Sequence, residues 1–368
     1  MCGIVGLINY DGLEVTFSSL KRMTDSISHR GPDGEGHWYE GGAGFGHRRL
    51  AIIDLSEEAN QPMISSDQRY ILTYNGEVYN FKEIRDELRT KGYSFQSSSD
   101  TEVVLYSLIE WKEKALLKFN GMFALSFWDK KEKNLLLARD RYGIKPLYYS
   151  EEGNSLCFAS EQKAILAQPN FDRTINRKAL LEYFTFQNIF TDQTLISGIQ
   201  LMPAGYYGKI DLSKKSPQLI RTQYWDFNFC EPNELISHQE YTEELDRLFR
   251  KAVNRQLVSD VELGAYLSGG MDSGSITSLA SQRFKDLKSF TVGFDLSSAS
   301  GIEMVFDERQ TAEAMSAAFK TEHYEMVLKA GDMERCLPKL AWHLEEPRVG
   351  QCYPNFYASK LASKFVKV

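Results

Sequence analysis

Apolar positions in the first two hundred residues fall in short runs at 44–54, 70–74, 122–128, 134–139 and 156–158. Between them stand the turn dipeptides Asp33-Gly34, Asn75-Gly76, Asn120-Gly121 and Glu152-Gly153. Short runs closed by turns predict strands in largely antiparallel sheets. Helices are fewer. Phe81, Ile84 and Leu88 follow Asn80, a favoured N-cap, at helical spacing. Ser99 and Glu102 form a capping-box pattern ahead of the apolar stretch 103–109.

The pattern degrades between 206 and 235, around Ser213-Lys214-Lys215-Ser216-Pro217 and Glu231-Pro232-Asn233, and predicts a linker there between domains at 1–205 and 236–368. Ser237 and Glu240 then open a helix whose apolar residues, from Tyr241 through Leu245, Leu248, Phe249, Ala252 and Val253 to Leu257, share one face. Strand and helix patterns alternate after it: strands at 263–267, 289–294, 323–327 and 365–368, helices at 274–284 and 308–319, and two more before the end. Such alternation predicts an α/β, doubly wound parallel sheet after an α+β first half.

A chain of 368 residues has room for two or three such cores. A net charge of −7 gives no support for a nucleic-acid partner. The five cysteines are far apart and odd in number, which argues against a disulfide framework and a structural zinc site. No apolar window reaches membrane-spanning length, and a cytoplasmic protein is expected.

Cys2 stands out. Loss of Met1 would put a thiol and an α-amine on one residue, and an α-amine with a pKa near ~7.7–8.0 can act as base for its own side chain. The plainer reading is a small residue starting the apolar run 3–8. A second candidate is Ser268-Gly269-Gly270-Met271-Asp272-Ser273, set between a strand and a helix where backbone N–H groups can bind an anion. No Lys follows the glycines, so this is not a Walker A loop. Asp272 would repel a bare phosphate, which implies a bridging Mg²⁺, with Ser268 and Ser273 donating to phosphate oxygens. A glycine turn joining strand to helix is the alternative.

The Ser-Gly-Gly-x-Asp-Ser loop resembles the pyrophosphate loop of the ATP pyrophosphatase superfamily. With Cys2-Gly3-Ile4, His29-Arg30-Gly31-Pro32-Asp33 and Tyr74-Asn75-Gly76-Glu77, the chain resembles the glutamine-hydrolysing asparagine synthetases from residue 1 to residue 368. The resemblance implies an N-terminal-nucleophile hydrolase domain, an αββα sandwich, followed by an incomplete synthetase domain. It implies glutamine hydrolysis at Cys2 and transfer of ammonia, through a shielded passage, to a carboxylate activated by ATP as an acyl-adenylate. Glutamine, ATP, Mg²⁺ and a small carboxylate acceptor, aspartate by resemblance, would be the ligands; a homodimer is compatible with it.

Residue by residue, the family match gives Cys2, Asn75 and Gly76 the chemistry, the last two as an oxyanion hole. Taken alone, Asn75-Gly76 is a hairpin turn. Glutamine binding falls to Arg49, Leu50, Ala51, Ile52 and Ile53, with Asn75, Gly76, Glu77 and Asp100. Arg49 would clamp the α-carboxylate; spacing alone leaves Arg48 open, although strand alternation puts the two on opposite faces. Glu77 and Asp100 would take the α-ammonium, and by itself Asp100 only stabilises a helix N-terminus. His29, His37 and His47 receive no catalytic role, and Arg30 with Asp33 is expected as a buried pair shaping the pocket. For ATP the match gives Leu267, Ser268, Gly269, Gly270, Asp272, Ser273 and Val292, with Asp272 toward the metal.

Two departures from the family stand in the sequence. It stops at 365–368 where relatives continue to a second Ser-Gly-x-Gly-x-Asp-Glu segment, so a truncated form is expected and glutaminase activity alone is an alternative. Arg348 and Gln351 differ from the usual pattern after Glu346-Pro347, which leaves aspartate and a sugar or cell-wall carboxylate both open as acceptors.

Overall fold

The computed structural model describes residues 1–169, 171–231, 236–295, 297, 307–348, 350 and 352–368, in two compact units, Met1–Phe229 and Cys230–Val368. The first unit begins with β1 (Gly3–Asn9), α1 (Phe17–Ser26), β2 (Gly34–Glu40) and β3 (Ala43–Arg49). There follow β4 (Met63–Ile64), β5 (Tyr70–Val78), α2 (Phe81–Thr90), α3 (Asp100–Trp111), α4 (Ala115–Lys118), β6 (Gly121–Asp129) and β7 (Asn134–Arg139). It closes with β8 (Tyr148–Glu152), β9 (Ser155–Ala159), α5 (Gln162–Leu166), α6 (Arg177–Phe186), β10 (Gln200–Leu201), β11 (Tyr206–Asp211) and β12 (Ile220–Gln223).

These strands form two antiparallel sheets in the orders β10-β8-β9-β1-β3-β2 and β12-β11-β7-β6-β5-β4. The unbroken apolar run of β1 is explained by burial on both faces. Ile4 and Ile8 point into the core between the sheets with Phe45, Phe158, Ile71, Trp128 and Leu137. Val5 points the other way, onto Met23 and Ile27 beside α1 and Ile165 of α5. Helix α3 packs on the second sheet at β5 and α2 packs on α3, which completes the αββα layering.

Several local expectations change. The run 44–54 is a strand only to Arg49, because the chain then turns away and Asp54 sits in the left-handed region at φ 56°. Asn75-Gly76 is no turn: both residues lie inside β5, paired with Ala124 and Phe123 of β6. Glycine is required at 76 because a Cβ there would lie 2.3 Å from the Met122 carbonyl oxygen. Asn80 makes no cap bond to α2; its side chain ties Lys118 and Asn120 instead. Ser99 does cap α3, through the Thr101 N–H, but Glu102 accepts from the Gln96 and Ser97 N–H groups rather than closing a box. The stretch 206–235, expected as a linker, holds β11 and β12: alternating residues of β11 complete the second sheet against β7. Pro232 and Asn233 lie outside the described residues.

The second unit holds α7 (His238–Gln256), β13 (Gly264–Tyr266), α8 (Met271–Arg283), β14 (Lys288–Phe294), α9 (Arg309–Phe319), β15 (Glu322–Leu328), α10 (Asp332–Leu344) and α11 (Cys352–Ala362). The capping box of α7 is formed in both directions between Ser237 and Glu240. The three strands are parallel in the order β13-β14-β15. Phe290 and Phe294 of β14 face the layer of α10 and α11, with Cys336, Tyr357 and Leu361. Gly293 faces the opposite layer, where Arg309 of α9 packs on it. Helices on both faces make the sheet doubly wound. The expected strand 365–368 is not formed; the Gly264 N–H of β13 donates to the Val368 carbonyl without extending the ladder. Among the described residues no helix is long and apolar enough to cross a membrane.

Candidate active site and nucleotide cleft

In the first unit, Met1, Cys2, Arg49 to Ile53, Asn75 to Glu77, Asp100 and Lys145 line one cleft of about 60 Å³. Residues from four other stretches of chain thus line the cleft with Cys2. Its position is held from both sides: the Leu50 N–H donates to Sγ at 3.3 Å, and Arg30 Nε donates to the Cys2 carbonyl at 2.8 Å. Burial pushes the Cys2 thiol up, so the resting sulfur is protonated at neutral pH and needs a base. Burial also pushes the Met1 α-amine down, to about 6, so an amine at this end of the cleft is neutral and basic at pH 7.

Asn75 is 1% exposed, and its Nδ2 has no hydrogen-bond partner among the described residues. A buried amide donor left open costs about 1–3 kcal/mol, and such groups are rare unless a ligand satisfies them. Gly76 lines the cleft beside it. Opposite stand two carboxylates. Asp100 is buried and accepts from Tyr74 Oη at 2.8 Å and the Val78 N–H at 2.9 Å; burial nevertheless raises its pKa. Glu77 is pushed up to about 7, first by burial and then by the Asp100 charge, with Lys145 pulling the other way.

The structure separates the two arginines. Arg49 turns into the cleft, its guanidinium donating to the Ser56 carbonyl at 2.7 Å, to Asn60 Oδ1 at 2.9 Å and to the Asp54 carbonyl. Arg48, one residue away on the opposite face, is engaged by Asp25 and Glu35 at 2.5 Å each. The expected Arg30–Asp33 pair is not formed. Arg30 instead meets Glu161 at 2.7 Å, and Asp33, which is exposed, accepts from the Ala51 N–H at 2.8 Å. The Asp33 N–H also donates to the Arg49 carbonyl at 3.0 Å, so Asp33 shapes the segment after Arg49.

In the second unit, Leu267, Ser268 and Val292 line a cleft of about 610 Å³ beyond the carboxyl ends of β13 and β14, with Phe290, Glu308, Tyr353 and Asn355. Gly269, Gly270, Asp272 and Ser273 are not in its lining; they continue from it into the start of α8. Ser268 and Ser273 hydroxyls are 3.0 Å apart and brace the loop, Ser268 Oγ accepting from the Gly270 N–H at 3.3 Å. Gly270 is the N-cap and offers no side chain to the first N–H groups of α8, which stay available to an anion. Asp272 is exposed in that first turn.

A family model described as a glutamine amidotransferase domain matches residues 1–225, and one described as asparagine synthase matches residues 244–368. Asparagine synthetase (glutamine-hydrolyzing) 1 of Bacillus subtilis is 36% identical over 100% of this chain and 57% of its own length. A putative asparagine synthetase (glutamine-hydrolyzing) 2 of Methanocaldococcus jannaschii is 33% identical over 100% of this chain and 73% of its own. The chain belongs to the glutamine-hydrolysing asparagine synthetase family. It spans little more than half the length of the Bacillus relative.

Within that family frame, the nine residues expected to handle glutamine, with Cys2, do line a single cleft, whereas the loop and strand residues expected for nucleotide divide between a cleft and a helix start. Lys145, Gln61 and Tyr74 also line the first cleft and were not singled out. Gln61 Oε1 accepts from the Tyr74 N–H at 2.6 Å and so braces β5 just before Asn75. In sequence Lys145 looks like any lysine in a turn; only its burial, 6% exposed, marks it. His29, His37 and His47 do not line the cleft. His47 is sealed beside the Tyr74 carbonyl at 3.2 Å and pushed down to about 3 by burial, while His29 meets Glu161 and His37 meets Thr24.

Proposed function

We propose that this chain releases ammonia from glutamine at Cys2 and belongs to a protein that passes it to an ATP-activated carboxylate, aspartate by family kinship. The observation that carries the first step is the unpartnered Asn75 amide nitrogen in the cleft of Cys2, Arg49, Glu77 and Asp100. In this reading the Cys2 amine, exposed by loss of Met1, takes the thiol proton. Sulfur adds to the glutamine carboxamide carbon, and Asn75 Nδ2 with the Gly76 backbone stabilises the oxyanion. Collapse expels ammonia and leaves a thioester; water then releases glutamate and restores the thiol.

The cleft at Leu267 and Val292 suits a purine, and the open N–H groups of α8 suit phosphates. Asp272, an exposed carboxylate beside them, would hold a Mg²⁺, which would offset phosphate charge. Arg348 is exposed, and Gln351 lies outside the described residues. The free thiol at Cys2 accords with a reducing, cytoplasmic setting.

The direct test is a glutamine-mimicking electrophile followed by peptide mass mapping. Modification at Cys2, blocked by glutamine, is expected; protein that neither labels there nor releases glutamate would refute the assignment.

Arg49→Ala is expected to raise KM for glutamine about 10- to 150-fold, the equivalent of ~1.5–3 kcal/mol for charge-assisted bonds. Arg48→Ala should leave it near wild type, and a larger effect at Arg48 in steady-state kinetics would reverse the assignment.

KM for glutamine should also rise as pH falls through about 7, the value to which Glu77 is raised. Below it Glu77 takes up a proton and loses the charge that would hold the α-ammonium. In Glu77→Gln this acid limb of KM should flatten at a high value; a limb of unchanged shape would assign it to another group.

A further inference from the structure

Lys145 is 6% exposed, lines the Cys2 cleft, and has no hydrogen bond or ion pair to its ammonium among the described residues. Its backbone is the opposite of free. Asp140, wholly buried, accepts from the N–H groups of Phe123, Tyr142, Ile144 and Lys145 at 2.9–3.1 Å. Arg139 adds bonds to the carbonyls of Lys145 at 2.9 Å and Gly143 at 2.6 Å. A loop pinned this thoroughly delivers a cation to one place. Phe123 is the register partner of Gly76, so the same carboxylate aligns Lys145 with the Asn75-Gly76 segment.

Lys145 is almost wholly buried, but its Nζ reaches the cleft. An ammonium so placed, with no partner among the described residues, is costly to keep and suits a wall where an anion is to form. The charges around it are Glu77, Asp100, Arg30, Arg49, the Cys2 sulfur and the terminal amine, with Asp140 behind the loop and Asp33 toward the amine. Arg30 is neutralised by Glu161, and Arg49 is engaged by carbonyls of 54 and 56. Glu77 is the strongest opposite charge facing Lys145, and a glutamine α-ammonium would compete for it. Lys145 is then left facing the sulfur.

We propose that Lys145 is a positioning residue of the glutaminase site, its ammonium set to stand beside the Cys2 thiolate as it forms. This rests on the glutaminase reading above. A neighbouring cation also pulls the thiol toward ionisation, against the effect of burial.

The test is the pH dependence of iodoacetamide alkylation at Cys2, followed by peptide mass mapping without glutamine, with exposed Cys230 as internal control. An opposite charge at close range moves a titration by about 1–3 pH units, so Lys145→Met should shift the Cys2 profile to higher pH and slow alkylation at pH 7 about tenfold or more. Lys145→Arg should stay near wild type, and Cys230 should not change. Because Met replaces an uncompensated buried charge, Tm should hold or rise; Lys145→Gln is read the same way if the Met variant does not fold. An unchanged Cys2 profile in the charge-free variant overturns the proposal, whether or not KM for glutamine moves. Wild-type protein that the glutamine mimic fails to label would overturn the glutaminase reading instead, so the two failures are distinct.

Discussion

Cys2→Ala is expected to lower glutamate release from glutamine by at least about a thousandfold, the scale on which loss of a nucleophile acts. Among the described residues no other thiol lines the cleft: Cys157 and Cys336 are buried in other cores, and Cys230 and Cys352 belong to the second unit. The substitution removes a partly exposed side chain whose hydrogen bonds among the described residues are to Leu50 alone, so the fold should survive it. In a protein spanning the relatives' full length, ammonia-dependent amide formation should persist, because the residues proposed for nucleotide lie in a separate unit. Glutamine- and ammonia-dependent rates measured side by side check this. Equal loss of both would sink the division of labour between the units.

Asn75→Ala should lower kcat for glutamine about 10²–10³-fold with little change in KM, the signature of a donor used only in the transition state. The unsatisfied Nδ2 makes the case specific. An asparagine held only for structure would have its amide paired, and its loss would show in thermal melting while kcat stayed near wild type. Steady-state kinetics with a thermal melt therefore separates the two roles. Gly76 cannot be probed in the same way, since any side chain there collides with the Met122 carbonyl.

Much of this was legible in the chain itself. The change from short strands between turns to alternating strands and helices reflects local spacing, and the two units follow it. The Ser-Gly-Gly loop was placed at the start of a helix because its neighbours on both sides have strong patterns. Alternation also put Arg48 and Arg49 on opposite faces, as they are.

What alternation leaves open is which face is which. Only the stacking of the two sheets turns Arg49 toward Cys2 and leaves Arg48 with Asp25 and Glu35. The same limit explains Asn75-Gly76. A turn pair and a strand pair are identical in sequence, and β6, some fifty positions later, makes this one a strand. Strand β12 was hidden because, at the edge of its sheet, it carries exposed polar residues that local pattern assigns to a linker. Arg30 finds Glu161 across 131 residues, and Lys145 is buried by segments far from it. Side-chain direction within an element is a local property written in residue order. Burial, charge partners and the assembly of a cleft depend on which distant segments pack together, and those were settled by the tertiary structure.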